Sequence, residues 1–277
     1  MKNFILKNLY SVLGEKNNSQ LRIIILHDVL KKDEIKFQEL IEYLKKNWNI
    51  ISPNQFKQII TNEHLHNNNK KNILLTFDDG YKSQKLIAEK YLDPLNIKAL
   101  FFVVSDFIKL NSTEDSHQFI KNNFFKTINK SCHLTSETSN MNISDLLYLI
   151  SKGHTIGGHT KTHTQLSKIK DQNILTDEVI NSTHDLEYKL NNYKIEDFAY
   201  TFGDLDSIDK VSAKMIINNY KYLYTGLRGN NLNINSRVLR RDAINFSEPI
   251  QVMSSYINSY IDFLYTQKLN KLEKWIL

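Results

Sequence analysis

The chain has one cysteine, three prolines and eight glycines in 277 residues. A lone Cys132 excludes an intramolecular disulfide, so the fold must be held by its apolar core, which a chain of this length can build. So little proline and glycine leaves no visible linker or repeat. No Gly-rich loop follows any apolar run, which disfavours a nucleotide-binding fold. No apolar stretch is long enough to span a bilayer. Lys and Arg exceed Asp and Glu by 36 to 30, but they are scattered, with only short pairs such as Lys31-Lys32 and Arg240-Arg241. Without a basic block, no nucleic-acid partner is expected, and the surplus reads as a solvated surface. Met1 to Gly14 is apolar at Phe4, Ile5, Leu6, Leu9, Tyr10, Val12 and Leu13, yet Lys7 and Asn8 interrupt it and no cleavage site follows. It makes a poor signal peptide. Residues 1–20 are read as an N-terminal helix or extension and 21–277 as one domain, cytoplasmic and without stable membrane insertion.

What is present alternates. Leu21 to Leu26, Asn72 to Phe77 and Ile97 to Val104 are apolar runs that read as buried strands. Shorter strands are expected at Ile50-Ile51, His154 to Gly158, Asp197 to Thr201, Tyr222 to Tyr224 and Arg237 to Arg241. Helical spacing marks 33–47, Ser52 to Ile60, 81–92, 143–152, 171–190, 207–219 and a closing helix over 248–264. Ser52 and Pro53 start the second of these, and Gly153 ends the fourth. Asn62 to Lys71 reads as a polar loop. Strand-helix alternation predicts an α/β fold with parallel strands, a barrel or an open sheet. Ser105 to Asn142 is too long for a plain connector and reads as an insertion beside the strand ends.

Two short stretches carry chemistry. Thr76-Phe77-Asp78-Asp79-Gly80 ends the second confident strand with adjacent carboxylates. Alone, Asp-Asp-Gly is also an ordinary turn. His159 and His163, spaced H-x-x-x-H, fit one helical turn with both rings on one face. One carboxylate and two imidazoles suit a three-ligand metal site with an open position, leaving the other carboxylate free as a base. Gly157 and Gly158 suggest a close backbone approach just before the pair. His154 reads as structural rather than a ligand. His64, His66, His117, His133 and His184 have no motif partners and read as surface residues.

Together these stretches resemble the first two motifs of the polysaccharide deacetylase family of carbohydrate esterases. Gly153-His154-Thr155-Ile156-Gly157 is similar to the segment preceding the His pair there, and the resemblance runs from about Leu21 to Leu264. It implies a distorted (β/α) barrel with the insertion around residues 105–142, and a divalent metal, with zinc expected. Asp79, His159 and His163 would be the metal ligands and Asp78 the general base that activates water. Phe198-Ala199-Tyr200-Thr201-Phe202-Gly203 resembles the third motif, with Thr201 where proline is usual. It implies that the Phe202 N–H helps hold the oxyanion. No arginine lies in that motif. Arg241 matches a strand in which related members carry one, and would neutralise or orient Asp78, with Arg240 as its rival. The family's C-terminal Leu-x-His is absent, since no histidine follows His184. Leu26-His27-Asp28-Val29 resembles the Tyr-His-x-Val element of a subgroup that carries this group at the N-terminal strand. His27 would then be the general acid, with Asp28 structural.

The expected reaction is hydrolysis of an N-acetyl group on an amino sugar of a bacterial surface glycan or its precursor. Two rival readings are deformylation or O-deacetylation at the same site, and a sugar-binding protein that has lost catalysis. Aromatic residues of the insertion would stack on sugar rings.

Overall fold

Strands that are buried on both faces read as near-continuous apolar runs, and such strands pair in parallel beneath a layer of helices. That is what the computed structural model shows; it describes residues 19–61, 70–124, 134–135, 138–232, 234 and 237–276. Nine strands form one sheet: β1 (Gln20–Leu26), β2 (Asn49–Ile50), β3 (Lys71–Phe77), β4 (Leu100–Val103), β5 (Thr155–Gly158), β6 (Asp197–Ala199), β7 (Tyr222–Tyr224), β8 (Val238–Leu239) and β9 (Asp242–Ala243). Their order is β8-β7-β6-β5-β4-β3-β1-β9, and β2 lies beside the start of β3. Each of these pairings is parallel. The α-helices are α1 (Glu34–Asn47), α2 (Pro53–Thr61), α3 (Lys82–Ile87), α4 (Thr113–Phe119), α5 (Ile143–Ser151), α6 (Gln172–Thr176), α7 (Ser182–Lys189), α8 (Lys210–Asn219), α9 (Ile250–Ile257) and α10 (Thr266–Ile276). A π-helical turn, Asp177–Asn181, joins α6 to α7, and another, Ala88–Leu92, extends α3.

The period-two alternation of side chains sorts the strands into two cores. Leu21, Ile23, Leu74, Leu100, Phe102, Ala199, Tyr224 and Leu239 fill the inside of the curled sheet. Ile24, Leu26, Ile73, Leu75, Phe77, Phe101, Phe198 and Val238 face the helices. The glycines of β5 let two rings fill in: a Cβ on Gly157 would lie 2.5 Å from the Phe102 ring, and one on Gly158 would lie 2.8 Å from that of Phe198.

Where one strand was expected over Arg237 to Arg241, the chain makes two short ones. β8 pairs with β7, and after Arg240 and Arg241 β9 pairs with β1. One stretch of chain thus changes partner and draws the two ends of the sheet together, giving the distorted (β/α) barrel. The closing helix over 248–264 also differs from expectation. α9 stops at Ile257, and a second helix, α10, follows. Its polar sequence hides the stripe of Leu269 and Leu272 that it buries. The predicted N-terminal helix before Ser19, most of the polar loop at 62–71, and His64, His66, Cys132 and His133 lie outside the described residues.

A buried charge cluster clamps the closure. Arg22, on the outward row of β1, donates Nε and Nη2 to the Asp242 carboxylate at 2.9 and 2.7 Å, and Nη1 to Asp262 at 2.5 Å. Arg22 and Asp242 are fully buried. Removing one partner of such a pair strands the other charge away from water. Arg22→Leu should therefore lower unfolding stability by about 3–5 kcal/mol in urea denaturation. A loss below about 1 kcal/mol, the size typical of an exposed pair, would contradict the clamp.

Candidate active site

The alternation that fills the barrel also carries the candidate site residues to its mouth. The inward row of β1 runs Leu21, Ile23, Ile25 and then His27; that of β3 runs Leu74, Thr76 and then Asp78. Both rows end where the strands end, at the C-terminal face on which barrels of this kind build their sites. A cavity of about 750 Å³ opens there, and His27, Asp78, Asp79, His159, His163, Phe202 and Arg241 all line it.

Asp78 and Asp79 are adjacent, buried and differently partnered. Asp78 accepts both Arg241 Nη1 at 2.7 Å and Nη2 at 2.9 Å, a bidentate fork. Arg241 is held in turn by the Thr225 carbonyl (2.8 Å from Nε) and the Thr76 hydroxyl (3.2 Å from Nη1), and its guanidinium lies 5.0 Å from the Phe102 ring centre. The structure pairs Arg241, and not Arg240, with Asp78; Arg240 instead reaches the Asn230 carbonyl and Glu273. Burial pushes the Asp78 carboxyl up, but the Arg241 guanidinium beside it holds it below the usual carboxylate range. Thr76 and Thr225 were not singled out from the sequence, although Thr76 sits two residues before Asp78 on the same inward row.

Asp79 turns the other way, with φ at 84°, a left-handed backbone rare for a residue that is not glycine. Its Oδ1 faces His159 Nε2 at 3.5 Å and His163 Nε2 at 3.4 Å. That oxygen is buried and has no hydrogen-bond partner. The far nitrogens fix the ring states. His159 Nδ1 lies 2.7 Å from the Ala199 carbonyl and His163 Nδ1 lies 3.3 Å from that of Asn123. Carbonyls only accept, so each Nδ1 carries hydrogen and a neutral ring presents its Nε2 lone pair to Asp79. Three donor atoms within 4.8 Å of one another, one of them an orphaned buried carboxylate oxygen, fit a divalent cation.

The His pair does not lie on a helical turn, as its spacing had suggested. Residues 159–163 form a loop after β5, with Thr160 at φ 65° and His163 at φ 62°. The two rings converge because the loop folds back, with the Thr160 hydroxyl accepting the His163 N–H at 3.0 Å. His163 is packed between the rings of Phe124 and Phe202, at 4.6 and 4.8 Å between centres.

Phe202 is half-buried, at φ 63°, after the short strand β6. Thr201, in place of a proline, donates its hydroxyl to the Thr164 carbonyl at 2.7 Å, a tie to the His163 loop that proline could not make. Gly203 follows at φ 70° and packs against Gly226, where a Cβ would meet the Gly226 Cα at 2.7 Å. Phe124, Leu134 and Thr138 bring the described part of the predicted insertion to the cavity. His154 lies outside the cavity: it accepts the Ala99 N–H at Nδ1 and meets Asp93 at Nε2, both at 3.0 Å, so it is structural. His117 bonds the Thr135 carbonyl, and His184 is exposed.

The sequence profile described as polysaccharide deacetylase matches residues 66–220, more than half of the chain, and the chain belongs to that family. Solved structures share the fold, at low sequence identity. IcaB from Ammonifex degensii has a TM-score of 0.66 at 18% identity, over 88% of this chain and 99% of that one. The Streptococcus pyogenes deacetylase PplD, solved in complex with acetate, has a TM-score of 0.62 at 18% identity, over 86% and 98%. A de-N-acetylase from Aggregatibacter actinomycetemcomitans has a TM-score of 0.64 at 14% identity, over 86% and 99%. Comparison with curated protein sequences finds no match. Among the described residues no helix is long and apolar enough to cross a membrane.

Asp28 gives the cavity a titration within reach. Its Oδ1 accepts the Ser83 hydroxyl at 2.5 Å, and Ser83 Oγ accepts the Val29 N–H at 3.1 Å. Burial pushes its carboxyl up from 3.8 to about 6, against the Ser83 bond. A raised carboxyl binds its proton more tightly in the folded than in the unfolded chain. Its contribution to stability is present below pH 3.8 and is lost as pH rises through about 6. Asp28→Asn should flatten that part of a stability-versus-pH curve measured by thermal unfolding. An unchanged slope across this window would contradict the assignment.

Proposed function

We propose that the chain hydrolyses the N-acetyl group of an amino sugar in a glycan or glycan precursor. The observation that carries the reading is the division of the two carboxylates: Asp78 is clamped by Arg241, while Asp79 turns an unpartnered oxygen to two imidazole nitrogens. Membership of the polysaccharide deacetylase family supports the acyl-sugar substrate. The printed names of the solved neighbours, deacetylase and de-N-acetylase, support the amide bond.

Asp79, His159 and His163 would hold a divalent metal, with zinc the one their donor set suits. Such a cation polarises an acyl carbonyl and lowers the pKa of water. Asp78 takes the proton of the attacking water. Arg241 keeps it ionised and fixes the plane of its oxygens, at some cost in basicity. The Phe202 N–H would face the negative charge that develops on the acyl oxygen. His27, at the rim, gives a proton to the departing nitrogen as the C–N bond breaks. Water oxygen ends on the acyl carbon, and acetate and a free amine leave. Phe202, half-buried beside His163, would meet the apolar face of the sugar.

The test is mass spectrometry of N-acetylated amino-sugar oligomers incubated with metal-loaded protein. Loss of acetyl mass is expected, with kcat lowered about 10²–10⁴-fold in Asp78→Asn, the range for a general base. Loss only of formyl or ester-linked acetyl groups would move the reading to the rival bond. No release from any acyl sugar, or full activity in Asp78→Asn, would overturn it.

A further inference from the structure

The loop that brings His159 and His163 together has two residues in the left-handed region, Thr160 and His163. Such backbone persists only where the surroundings hold it. On one side the chain after β4 holds it: the Ser105 N–H donates to the Thr160 carbonyl at 3.2 Å and the Asp106 N–H to that of Lys161 at 3.0 Å. On the other side one carboxylate takes its backbone N–H groups, while the neighbouring Asp177 takes only the Lys161 ammonium at 2.6 Å. Glu178 Oε2 accepts the backbone N–H groups of Lys161 and Thr162, each at 2.9 Å, and Oε1 accepts the Thr162 hydroxyl at 2.6 Å. Glu178 is only 6% exposed. A carboxylate so buried needs this many donors to offset its lost hydration.

Two further features tie Glu178 to the site. It sits in the π-helical turn Asp177–Asn181, a local widening of the helix of the kind often found at functional sites. Its bonds also continue a line of hydroxyls. Thr162 gives its hydrogen to Glu178, so its oxygen accepts from the Thr164 hydroxyl at 2.8 Å. The Thr164 carbonyl accepts from Thr201, next to Phe202. One carboxylate therefore ends a chain of hydrogen bonds joining the loop of the two histidines to the loop of Phe202.

We propose that Glu178 is a positioning residue for metal binding. By accepting from the middle of the 159–163 loop, it holds the two imidazoles at the separation a single cation needs, without touching the cation. The inference rests on the metal reading of Asp79, His159 and His163, and its test needs no substrate.

Zinc affinity of the full chain is measured by competition with a chromophoric chelator, and the visible spectrum of the Co²⁺-loaded protein is recorded. Melting in excess EDTA, for the parent and each variant, separates folding from binding. Glu178→Ala should weaken zinc about 10–100-fold, the range for groups that orient metal ligands, and alter the Co²⁺ spectrum. Glu178→Gln keeps a carbonyl oxygen for both backbone N–H groups and should stay within about threefold of the parent. Should Glu178→Ala not fold, Thr162→Val, which removes one of the three bonds, decides with an expected weakening of about 3–10-fold. Parent-like affinity in Glu178→Ala, or in Thr162→Val where that variant decides, overturns the inference. So does equal weakening by Ala and Gln. A parent that binds no zinc overturns the metal reading as well, which tells the two failures apart.

Discussion

The pairing of Arg241 with Asp78 is the constraint on which the site depends. A guanidinium buried inside a barrel must have its charge matched and its donors used, or it would not stay there. Here all of that is done by groups the barrel itself supplies: Asp78 at the end of β3, Thr76 one inward position below, and the Thr225 carbonyl after β7. Arg241 also lies in the two-residue step between β8 and β9, where the chain leaves one end of the sheet and joins the other. The residue that orients the proposed base is thus carried by the segment that closes the barrel. On the outer side of the same closure, Arg22 and Asp242 perform the matching task. Fold closure and site geometry are two outcomes of one stretch of chain.

With Asp78 committed to Arg241, Asp79 is left to a different task. Successive side chains of an extended chain point opposite ways, which would send Asp79 out among the helices. Its positive φ turns it back toward the mouth instead, where the loop after β5 presents two imidazoles. Each ring is aimed by a carbonyl behind it, and the His163 ring is wedged between two phenylalanines. The result is a buried carboxylate oxygen that has no hydrogen to accept and two lone pairs opposite it. That arrangement is costly for protein atoms alone and suits a cation.

Much of this was legible in the sequence where the signal is local. The strands β1 and β3 are long apolar runs, so their ends, and hence His27, Asp78 and Asp79, were placed to within a residue. Arg241 was less legible, since nothing local distinguishes it from Arg240; only its pairing with Asp78 at the end of β3 does. The i, i+4 spacing of His159 and His163 gave the right neighbours for the wrong reason, because a tight loop held by Thr160 and Glu178 can also bring two rings together. Glu178 itself gave no signal, as an acidic residue on a helix is ordinarily solvated. α10 was missed because its sequence is mostly polar, and the split of β8 from β9 because a change of sheet partner is a tertiary event.

The central claim is that Asp79, His159 and His163 form a metal centre beside a clamped carboxylate. X-ray absorption at the zinc edge, on protein loaded with one equivalent of zinc, tests it most directly. The account predicts a tightly held ion with two imidazole nitrogens and a carboxylate oxygen among its ligands, lost in Asp79→Ala. Zinc that is not retained, or a spectrum without imidazole scattering, would contradict it.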